Sequence, residues 1–270
     1  MAVSLKTTVL LMFLFGSKRS KEESEKDFLS FIGTDLHSHL VPGIDDGVQD
    51  ADTSIRFIRQ LADWGIQRII TTPHIMTDRY DNSKQTIDPP FEALQQRLRQ
   101  EKLPVPVSYA AEYYLDEHLS TTMATPMLTL NGSMVLVEVS FVSPPLHLPQ
   151  WLFDLETGGY TPLLAHPERY IYYQQHEEEY DTLKRRGCLF QLNLLSLTGY
   201  YGRHVQKAAQ YLINNNMIDY IGTDLHHDKH LEAIRKIAGN KKVRKVLEKY
   251  PFKNASLLPA VNQHTPASGG

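Results

Sequence analysis

Cysteine is almost absent from this sequence, which has a single one, Cys188, among 270 residues. One cysteine cannot form an intramolecular disulfide bond and fits a reducing compartment, so we expect a cytoplasmic protein. An excess of basic residues is absent too, because 28 Lys and Arg stand against 31 Asp and Glu and the net charge is -3. This balance argues against a nucleic-acid partner.

Motifs for covalent catalysis and for nucleotide binding are also missing. A thiol-dependent phosphatase needs an arginine in a loop that follows its cysteine, whereas Cys188 is followed by the apolar stretch LFQLNLL. We therefore predict that Cys188 is a core residue. The sequence has no G-x-S-x-G motif and no glycine-rich nucleotide loop.

Long apolar runs are limited to the N-terminus, where VLLMFLF occupies residues 9–15. A membrane-spanning helix needs roughly 20 apolar residues, so we predict no stable membrane span. Three interpretations stay open for this stretch: translation that truly starts at Met12, a flexible extension packed on the domain, or an export signal. We assign residues 1–30 to a flexible N-terminal extension, 31–252 to one folded domain and 253–270 to a C-terminal tail.

The domain alternates β-rich runs with helical patterns. The predicted strands are FIGTDLH, QRIITTPH, PVSYAAEYY, MVLVEVS, YTPLLAHP, CLFQLNLLS and DYIGTDLH. Helical patterns between them include DADTSIRFIRQLADWG, FEALQQRLRQEK and RHVQKAAQYLINNN. Repeated strand–helix units indicate a parallel sheet. About seven such units in one domain favour an α/β fold with a closed or nearly closed barrel.

The C-terminal ends of these strands carry an unusual set of side chains. In a (β/α) barrel these ends form the active-site face. His37 and His39 in GTDLHSH would project to one side, because the side-chain period of a strand is two. All but the sixth strand end in an imidazole or a carboxylate. With Asp46 from the acidic turn DDG, the candidates are His37, His39, Asp46, His74, Glu112, Glu138, His166, Asp224 and His226.

Each candidate has another explanation when taken alone, such as a surface histidine or a helix-capping aspartate. Glu138 is harder to explain, because an ionised carboxylate without a partner is costly inside the apolar run VLVEVS. All of them at one end of successive strands favour a metal site. Nitrogen and oxygen ligands without thiolates indicate Mn, Fe, Zn or Mg. Since a mononuclear catalytic site uses about three protein ligands, we predict a cluster of two or three ions.

The ordered motifs DLHSH, DDG, TPH, AAE, VEVS, AHPERY and GTDLH resemble those of the polymerase and histidinol phosphatase (PHP) superfamily. Within it, the sequence is similar to the metal-dependent protein-tyrosine phosphatases of bacterial capsule and exopolysaccharide biosynthesis. The resemblance implies a distorted (β/α)7 TIM-like barrel with three divalent ions, most often Mn2+, although Fe, Zn or Mg stay possible. The implied ligand sets are His37, His39, Glu112 and Asp224 for one ion, Glu112, Glu138 and His166 for the second, and Asp46, His74 and His226 for the third.

Phosphate binding is assigned to arginine, whose guanidinium group matches phosphate geometry. The resemblance implies this role for Arg169 in AHPERY, whose alternative is a salt bridge to Glu168 or to the acidic run HEEEYD. We predict that Arg169 and Asp224 take part in catalysis. The second phosphate-binding arginine of the family is missing from DLHHDKHLEAIR, so Lys229, His230 or Arg79 is expected to replace it.

The predicted reaction is hydrolysis of a phosphate monoester by a hydroxide that the metal ions activate, without a covalent intermediate. Tyrosine phosphate is favoured, because its phenol leaving group has a pKa of about 10. The partner implied by the resemblance is the tyrosine-rich tail of a bacterial kinase of capsule or exopolysaccharide biosynthesis. The main alternative is a small-molecule phosphatase, for example one acting on histidinol phosphate. A polymerase-type exonuclease, an amidohydrolase and an inactive binding module fit the motifs less well.

Overall fold

The computed structural model describes residues 25–174 and 176–258. The interpretations of the apolar N-terminal stretch lie outside these residues. In the described part, no helix is both long and apolar enough to cross a membrane. The strands are β1 (Thr34–Asp35), β2 (Arg68–Thr71), β3 (His74–Ile75), β4 (Val107–Tyr109), β5 (Glu112–Tyr114), β6 (Met134–Glu138), β7 (Thr161–Ala165), β8 (Leu189–Asn193) and β9 (Tyr220–Gly222).

All paired strands are parallel, in the orders β1-β2-β4 and β3-β5-β6-β7-β8-β9. Strands β2 and β3 are two parts of one segment interrupted at residues 72–73, and β4 and β5 are likewise interrupted at residues 110–111. A parallel bridge pairs Ser38 with Leu225, and the His39 N–H donates to the Leu225 carbonyl at 3.0 Å. The last strand segment therefore returns to the first, which confirms the predicted distorted barrel.

The helices cover the outside of this ring of strands. They are α1 (Ala51–Asp63), α2 (Lys84–Gln100), α3 (Leu119–Thr122), α4 (Leu148–Thr157), α5 (Glu178–Arg185), α6 (Arg203–Asn214), α7 (Asp228–Ile237) and α8 (Lys241–Lys249). Helix α1 follows its predicted pattern, with the Asp50 carboxylate accepting from the Thr53 N–H at 2.8 Å. Helix α2 begins well before the pattern FEALQQRLRQEK, because Ser83 and Thr86 form a capping box ahead of it.

The apolar residues form two cores that follow the alternation of the strands. Leu136 and Leu163 belong to a small cluster inside the barrel, together with Leu36, Ile70 and Tyr220. Their neighbours Val135, Val137 and Leu164 belong instead to the larger cluster between the strands and the helices. Near the amino ends of the strands, which we call the lower end of the barrel, the inner-face side chains are thus apolar. The same face leads to the carboxyl ends of the strands at the mouth of the barrel.

Residues 253–258, which the sequence analysis assigned to the tail, pack against the lower end of the barrel. Lys253–Leu257 form a 3-10 helix in which Asn254 and Leu257 are buried. The Asn254 side chain accepts from the Ile221 N–H at 2.9 Å and donates to the carbonyls of Thr34 and Ile221. Residues 259–270 of the predicted tail lie outside the described residues.

Candidate metal centre

Strand alternation carries several of the predicted ligands into the mouth of the barrel. Glu112 lies two residues after Ala110, and Glu138 lies two residues after Leu136, so both point to the inner face. His74 opens β3, directly after the interruption at residues 72–73. All three side chains are buried. The inner face therefore changes from apolar to ionisable within two residues at β5 and at the end of β6.

His166 reaches the same place by a departure from strand geometry. Its neighbour Ala165 points into the barrel, so a regular strand would turn the next side chain outward. His166 instead has a left-handed backbone, with φ of 34°. Asp224 is left-handed as well, with φ of 50°. Such conformations are uncommon for residues other than glycine and cost conformational energy, which is often stored at functional sites.

The acidic turn DDG packs directly under His39. A Cβ atom on Gly47 would lie 2.3 Å from the His39 carbonyl oxygen, so only glycine allows this approach. The turn places two neighbouring carboxylates differently. Asp45 is buried against His39, whereas Asp46 is half exposed and its carboxylate lies 3.5 Å from His74 Nε2 and 3.6 Å from His226 Nε2.

The nine predicted residues converge on one cluster. Their ligand atoms form sets in which every atom lies within 4.8 Å of the others, and the sets are His39, Asp46, His74 and His226; His37, Glu112 and His166; His37, His39 and Asp224; and His74, Glu112 and Glu138. Within the described residues these sets contain all nine candidates and no other residue. The grouping differs in detail from the one implied by the resemblance, since His39 also joins Asp46, His74 and His226.

Glu112 lies at the centre of the cluster. Its Oε2 atom is 3.2 Å from His37 Nε2 and 3.3 Å from both His39 Nε2 and His74 Nδ1. Its Oε1 atom is 3.4 Å from His166 Nε2 but forms no hydrogen bond. A buried carboxylate oxygen without a donor is rare in proteins and requires an explanation. Cations beside Glu112 would provide one.

The histidine tautomers point to cations as well. His37 Nδ1 lies 2.8 Å from the Gln191 Oε1 atom, and His39 Nδ1 lies 2.8 Å from the Asp45 carboxylate. Both acceptors require a proton on Nδ1, so each Nε2 atom presents a lone pair when the ring is neutral. These two Nε2 atoms face each other at 3.3 Å. Without a metal, a proton on one ring would join them, and although burial lowers the pKa of both imidazoles, the neighbouring carboxylates outweigh it and raise both. A metal ion in place of that proton would bind both lone pairs, so the residues present fit a metal.

The electrostatics of the cluster agree with this conclusion. Burial and the positive charge of Arg169 lower the pKa of His166 to about 4, and burial with the nearby His39 lowers the pKa of His226 to about 4. Both imidazoles are therefore neutral, as metal ligation requires. Burial and the adjacent Glu112 carboxylate raise the pKa of Glu138 well above its ordinary value. The site holds more carboxylate than it can keep ionised without added positive charge.

A cavity of about 580 Å³ opens above the cluster. Arg169 lines it and donates from Nη1 to the Asp224 carboxylate at 2.8 Å, so it pairs with neither Glu168 nor the acidic run. Arg79 lies at the rim of the cavity. Lys229 does not reach it: this residue is exposed on α7 and lines a separate surface cleft, while His230, one residue on, turns inward. The helical rotation between neighbours turns Lys229 away from the cavity and His230 toward it.

Several supporting residues were missed by the sequence analysis. Strand β8, which was predicted to lack a ligand, directs Gln191 and Asn193 inward. Gln191 orients His37, and Asn193 donates to the Asp224 carboxylate at 2.8 Å. Asp45 was quoted in the motif DDG but received no role. The sequence did contain a signal for Gln191 and Asn193, because they are two polar residues spaced by two in the otherwise apolar run CLFQLNLL.

A parallel barrel whose strand ends gather histidines and carboxylates under one cavity defines the class of metal-dependent α/β-barrel hydrolases. Residues 33–256 match the family described as capsular polysaccharide synthesis, CpsB/CapC. The chain belongs to this family, which confirms the resemblance inferred from the motifs.

Relatives and a solved structure agree with this assignment. The tyrosine-protein phosphatase YwqE of Bacillus subtilis is 30% identical over 197 residues, which cover 72% of this chain and 78% of YwqE. The tyrosine-protein phosphatase CpsB of Streptococcus pneumoniae is 25% identical over 200 residues, which cover 72% of this chain and 82% of CpsB. A crystal structure from work on YwqE and CpsB, described as metal-dependent tyrosine phosphatases, superposes with a TM-score of 0.72 at 28% identity, covering 83% of this chain and 93% of that one.

Proposed function

We propose that this protein is a metal-dependent phosphomonoesterase that hydrolyses phosphotyrosine on a protein. The observation that carries the proposal is the cavity that Arg169 lines together with seven of the nine clustered histidines and carboxylates, while the other two, His37 and His39, are buried in the same cluster. The names of the relatives support tyrosine phosphate as the substrate, and the family supports a role in capsule synthesis. The proposed partner is a tyrosine kinase of capsule or exopolysaccharide biosynthesis, and the proposed compartment is the cytoplasm.

The proposed cofactors are three divalent ions, with Mn2+ as the first choice. Ions bound here would lower the pKa of a water molecule and polarise the phosphoryl oxygens. The four buried or half-buried carboxylates offer one negative charge each, so three divalent ions would leave a net positive charge for a phosphate dianion. The ligands proposed for them are His37, His39, Asp46, His74, Glu112, Glu138, His166, Asp224 and His226.

Arg169 is the proposed phosphate ligand. Its Nη1 atom is held by Asp224, so the guanidinium group has a fixed direction, and the rest of the group lines the cavity. A fixed guanidinium donates paired hydrogen bonds to phosphate oxygens without paying for its own ordering. Asp224 thus contacts both Arg169 and His37, which links phosphate binding to the metal cluster. Arg79 at the rim is proposed as a second cation for the substrate phosphate.

The test compares rates on a phosphotyrosyl peptide, a phosphoseryl peptide and histidinol phosphate while Mn2+ is titrated into chelator-treated protein. We expect turnover to depend on the metal and kcat/KM to be highest for the phosphotyrosyl peptide. Arg169→Gln should raise KM for every phosphate ester, whereas Arg235→Gln, on the outer helix α7, should change little. A dominant rate on histidinol phosphate would instead favour the small-molecule alternative.

A further inference from the structure

Phe141 is an aromatic residue that stays open to solvent at the cavity mouth. It lies in the loop after β6, lines the cavity and keeps 38% of its surface exposed. Its ring stacks on the His166 ring, with centroids 5.6 Å apart and planes inclined by 22°. The Arg169 guanidinium carbon lies 5.0 Å from the centre of the same ring. Phe141 therefore borders both the metal cluster and the proposed phosphate ligand.

A second ring, that of Tyr201, also contacts Arg169 and lines the cavity, but it is less exposed than Phe141. The guanidinium carbon lies 4.5 Å from the Tyr201 ring centre. The Tyr201 hydroxyl accepts a hydrogen bond from the Asn193 amide nitrogen at 3.2 Å, which fixes the position of its ring. Tyr201 can position Arg169, whereas Phe141 is the more exposed of these two rings at the cavity.

The neighbour of Phe141 extends the apolar edge. Val142 also lines the cavity and is 91% exposed. Apolar side chains contribute nothing to metal or phosphate binding, and here two of them line the cavity of the phosphate ligand while exposed to solvent. In an aryl phosphate the ring is bonded directly to the ester oxygen, so it must lie next to the groups that border the phosphate. The exposed group that touches both Arg169 and His166 is Phe141.

We infer that Phe141, extended by Val142, determines specificity by stacking on the ring of an aryl phosphate whose phosphate group is bound at Arg169. This inference rests on the proposed function and identifies the aromatic ring of the substrate as the feature that Phe141 and Val142 recognise. Offset or edge contacts between rings add affinity beyond the buried area. An alkyl phosphate such as phosphoserine has no ring to place there, so it gains nothing from Phe141.

The experiment measures binding of two non-hydrolysable ligands to the manganese-loaded protein by calorimetry. Phenylphosphonate carries the ring, and methylphosphonate does not. The variants are Phe141→Ala, Phe141→Leu, which keeps apolar bulk without a ring, and Phe141→Tyr, which keeps the ring. Phe153→Ala is the matched control, because Phe153 is 57% exposed on α4 and does not line the cavity.

We expect Phe141→Ala and Phe141→Leu to weaken phenylphosphonate roughly three- to tenfold, in keeping with one aromatic pair. Methylphosphonate affinity should change less than twofold, and Phe141→Tyr and Phe153→Ala should bind both ligands as the parent protein does. An equal loss for both ligands would overturn the inference, because Phe141 would then act only by holding Arg169. Unchanged phenylphosphonate binding in Phe141→Ala would overturn it as well.

Turnover of the phosphotyrosyl peptide is recorded for the same variants. This measurement separates the proposed function from the role of Phe141. If Phe141 favours the ligand with a ring but the protein does not hydrolyse phosphotyrosine, the proposed function is contradicted and the role of Phe141 stands. If the protein hydrolyses phosphotyrosine but the Phe141 variants bind phenylphosphonate as the parent protein does, the proposed function stands and the role of Phe141 is overturned.

Discussion

At the residue scale, two adjacent aspartates of the DDG turn have different surroundings. The Asp45 carboxylate accepts from His39 Nδ1 at 2.8 Å, from the Gly47 N–H at 2.9 Å and from the His74 N–H at 3.1 Å. Burial alone would raise the pKa of Asp45, but His39 and these donors outweigh it and lower the pKa to about 2. Asp45 is therefore ionised at neutral pH and fixes the ring of His39.

We predict that Asp45→Asn lowers metal affinity about 10- to 100-fold, as is usual when the hydrogen-bond partner of a ligating histidine is changed. The amide cannot stabilise the Nδ1 proton of His39 as a carboxylate does. The measurement is a calorimetric titration of the protein with Mn2+. Asp52→Asn is the control, since this carboxylate is 81% exposed and pairs with Arg97 at the surface. Equal affinities for Asp45→Asn and the parent protein would contradict the prediction.

Cys188 is the other residue whose surroundings decide its chemistry. It is buried at the start of β8, it does not line the cavity, and burial raises the pKa of its thiol to about 12. A thiol in this state is not a nucleophile at neutral pH. The sequence prediction that it is a core residue is confirmed by its place in the outer core.

We predict that Cys188→Ala retains kcat/KM within about twofold and loses some stability, roughly 1 kcal/mol, through the small cavity it leaves. Steady-state kinetics and urea unfolding measure the two effects. Strong inactivation of a variant that still unfolds cooperatively would mean that the thiol takes part in the reaction.

At the element scale, Asp219 holds three parts of the chain together at the lower end of β9. Its carboxylate accepts from Lys184 of α5, from the Phe190 N–H of β8 at 2.9 Å and from Lys253 of the 3-10 helix at 2.8 Å. Burial raises its pKa, but the two lysines and the N–H outweigh burial, so the pKa lies below the ordinary value of 3.8. This carboxylate is one reason why residues 253–258 do not form a free tail.

We predict that Asp219→Asn lowers the free energy of unfolding at pH 7 by about 1–3 kcal/mol, because the buried Phe190 N–H and two partly exposed lysines lose a charged acceptor. The lowered pKa sets the sign of the pH dependence: the stabilisation is complete above 3.8 and is lost as the pH falls through the folded-state pKa. The difference in free energy of unfolding between the variant and the parent protein, measured by urea titration, should therefore become smaller from pH 7 to pH 3. A difference in free energy of unfolding that grows as the pH falls would contradict this prediction. Asp52→Asn again serves as the exposed control, with an expected change below about 0.5 kcal/mol.

At the scale of the whole molecule, the metal cluster joins distant parts of the barrel. Its residues come from the first strand segment through the last, and the bridge between Ser38 and Leu225 closes the ring beside it. Without cations, the cluster contains two imidazole nitrogens only 3.3 Å apart and a carboxylate oxygen without a donor. Bound cations would thus stabilise the closure of the barrel as well as the site.

We predict that chelation lowers the melting temperature and that Mn2+ restores it. Ligand at about 100 times its Kd stabilises a folded protein by roughly 2.7 kcal/mol, which corresponds to a shift of about 5–10 °C for a domain of this size. Differential scanning calorimetry measures the shift. In Glu112→Gln, which lacks the central carboxylate, the shift on adding Mn2+ should be much smaller. Identical melting curves with and without metal would contradict the prediction.

The sequence by itself determined the barrel and the chemistry of its rim. Apolar runs separated by helical patterns fix parallel strands, because such strands bury both faces. Ligand-type residues at the ends of those runs then converge, because parallel strands share one carboxyl edge. Local pattern and strand order were therefore enough to predict all nine members of the cluster and the burial of Cys188.

Only the tertiary structure decided contacts that depend on how distant elements turn toward each other. A helical rotation sends Lys229 outward and His230 inward, a left-handed backbone at His166 reverses the strand alternation, and packing under the barrel orders Asn254. Gln191 acquires its role only when β8 lies beside His37, far away in the chain. These outcomes depend on side-chain direction and long-range approach, which sequence spacing does not encode, because the free energy that fixes them arises between segments that meet only after folding.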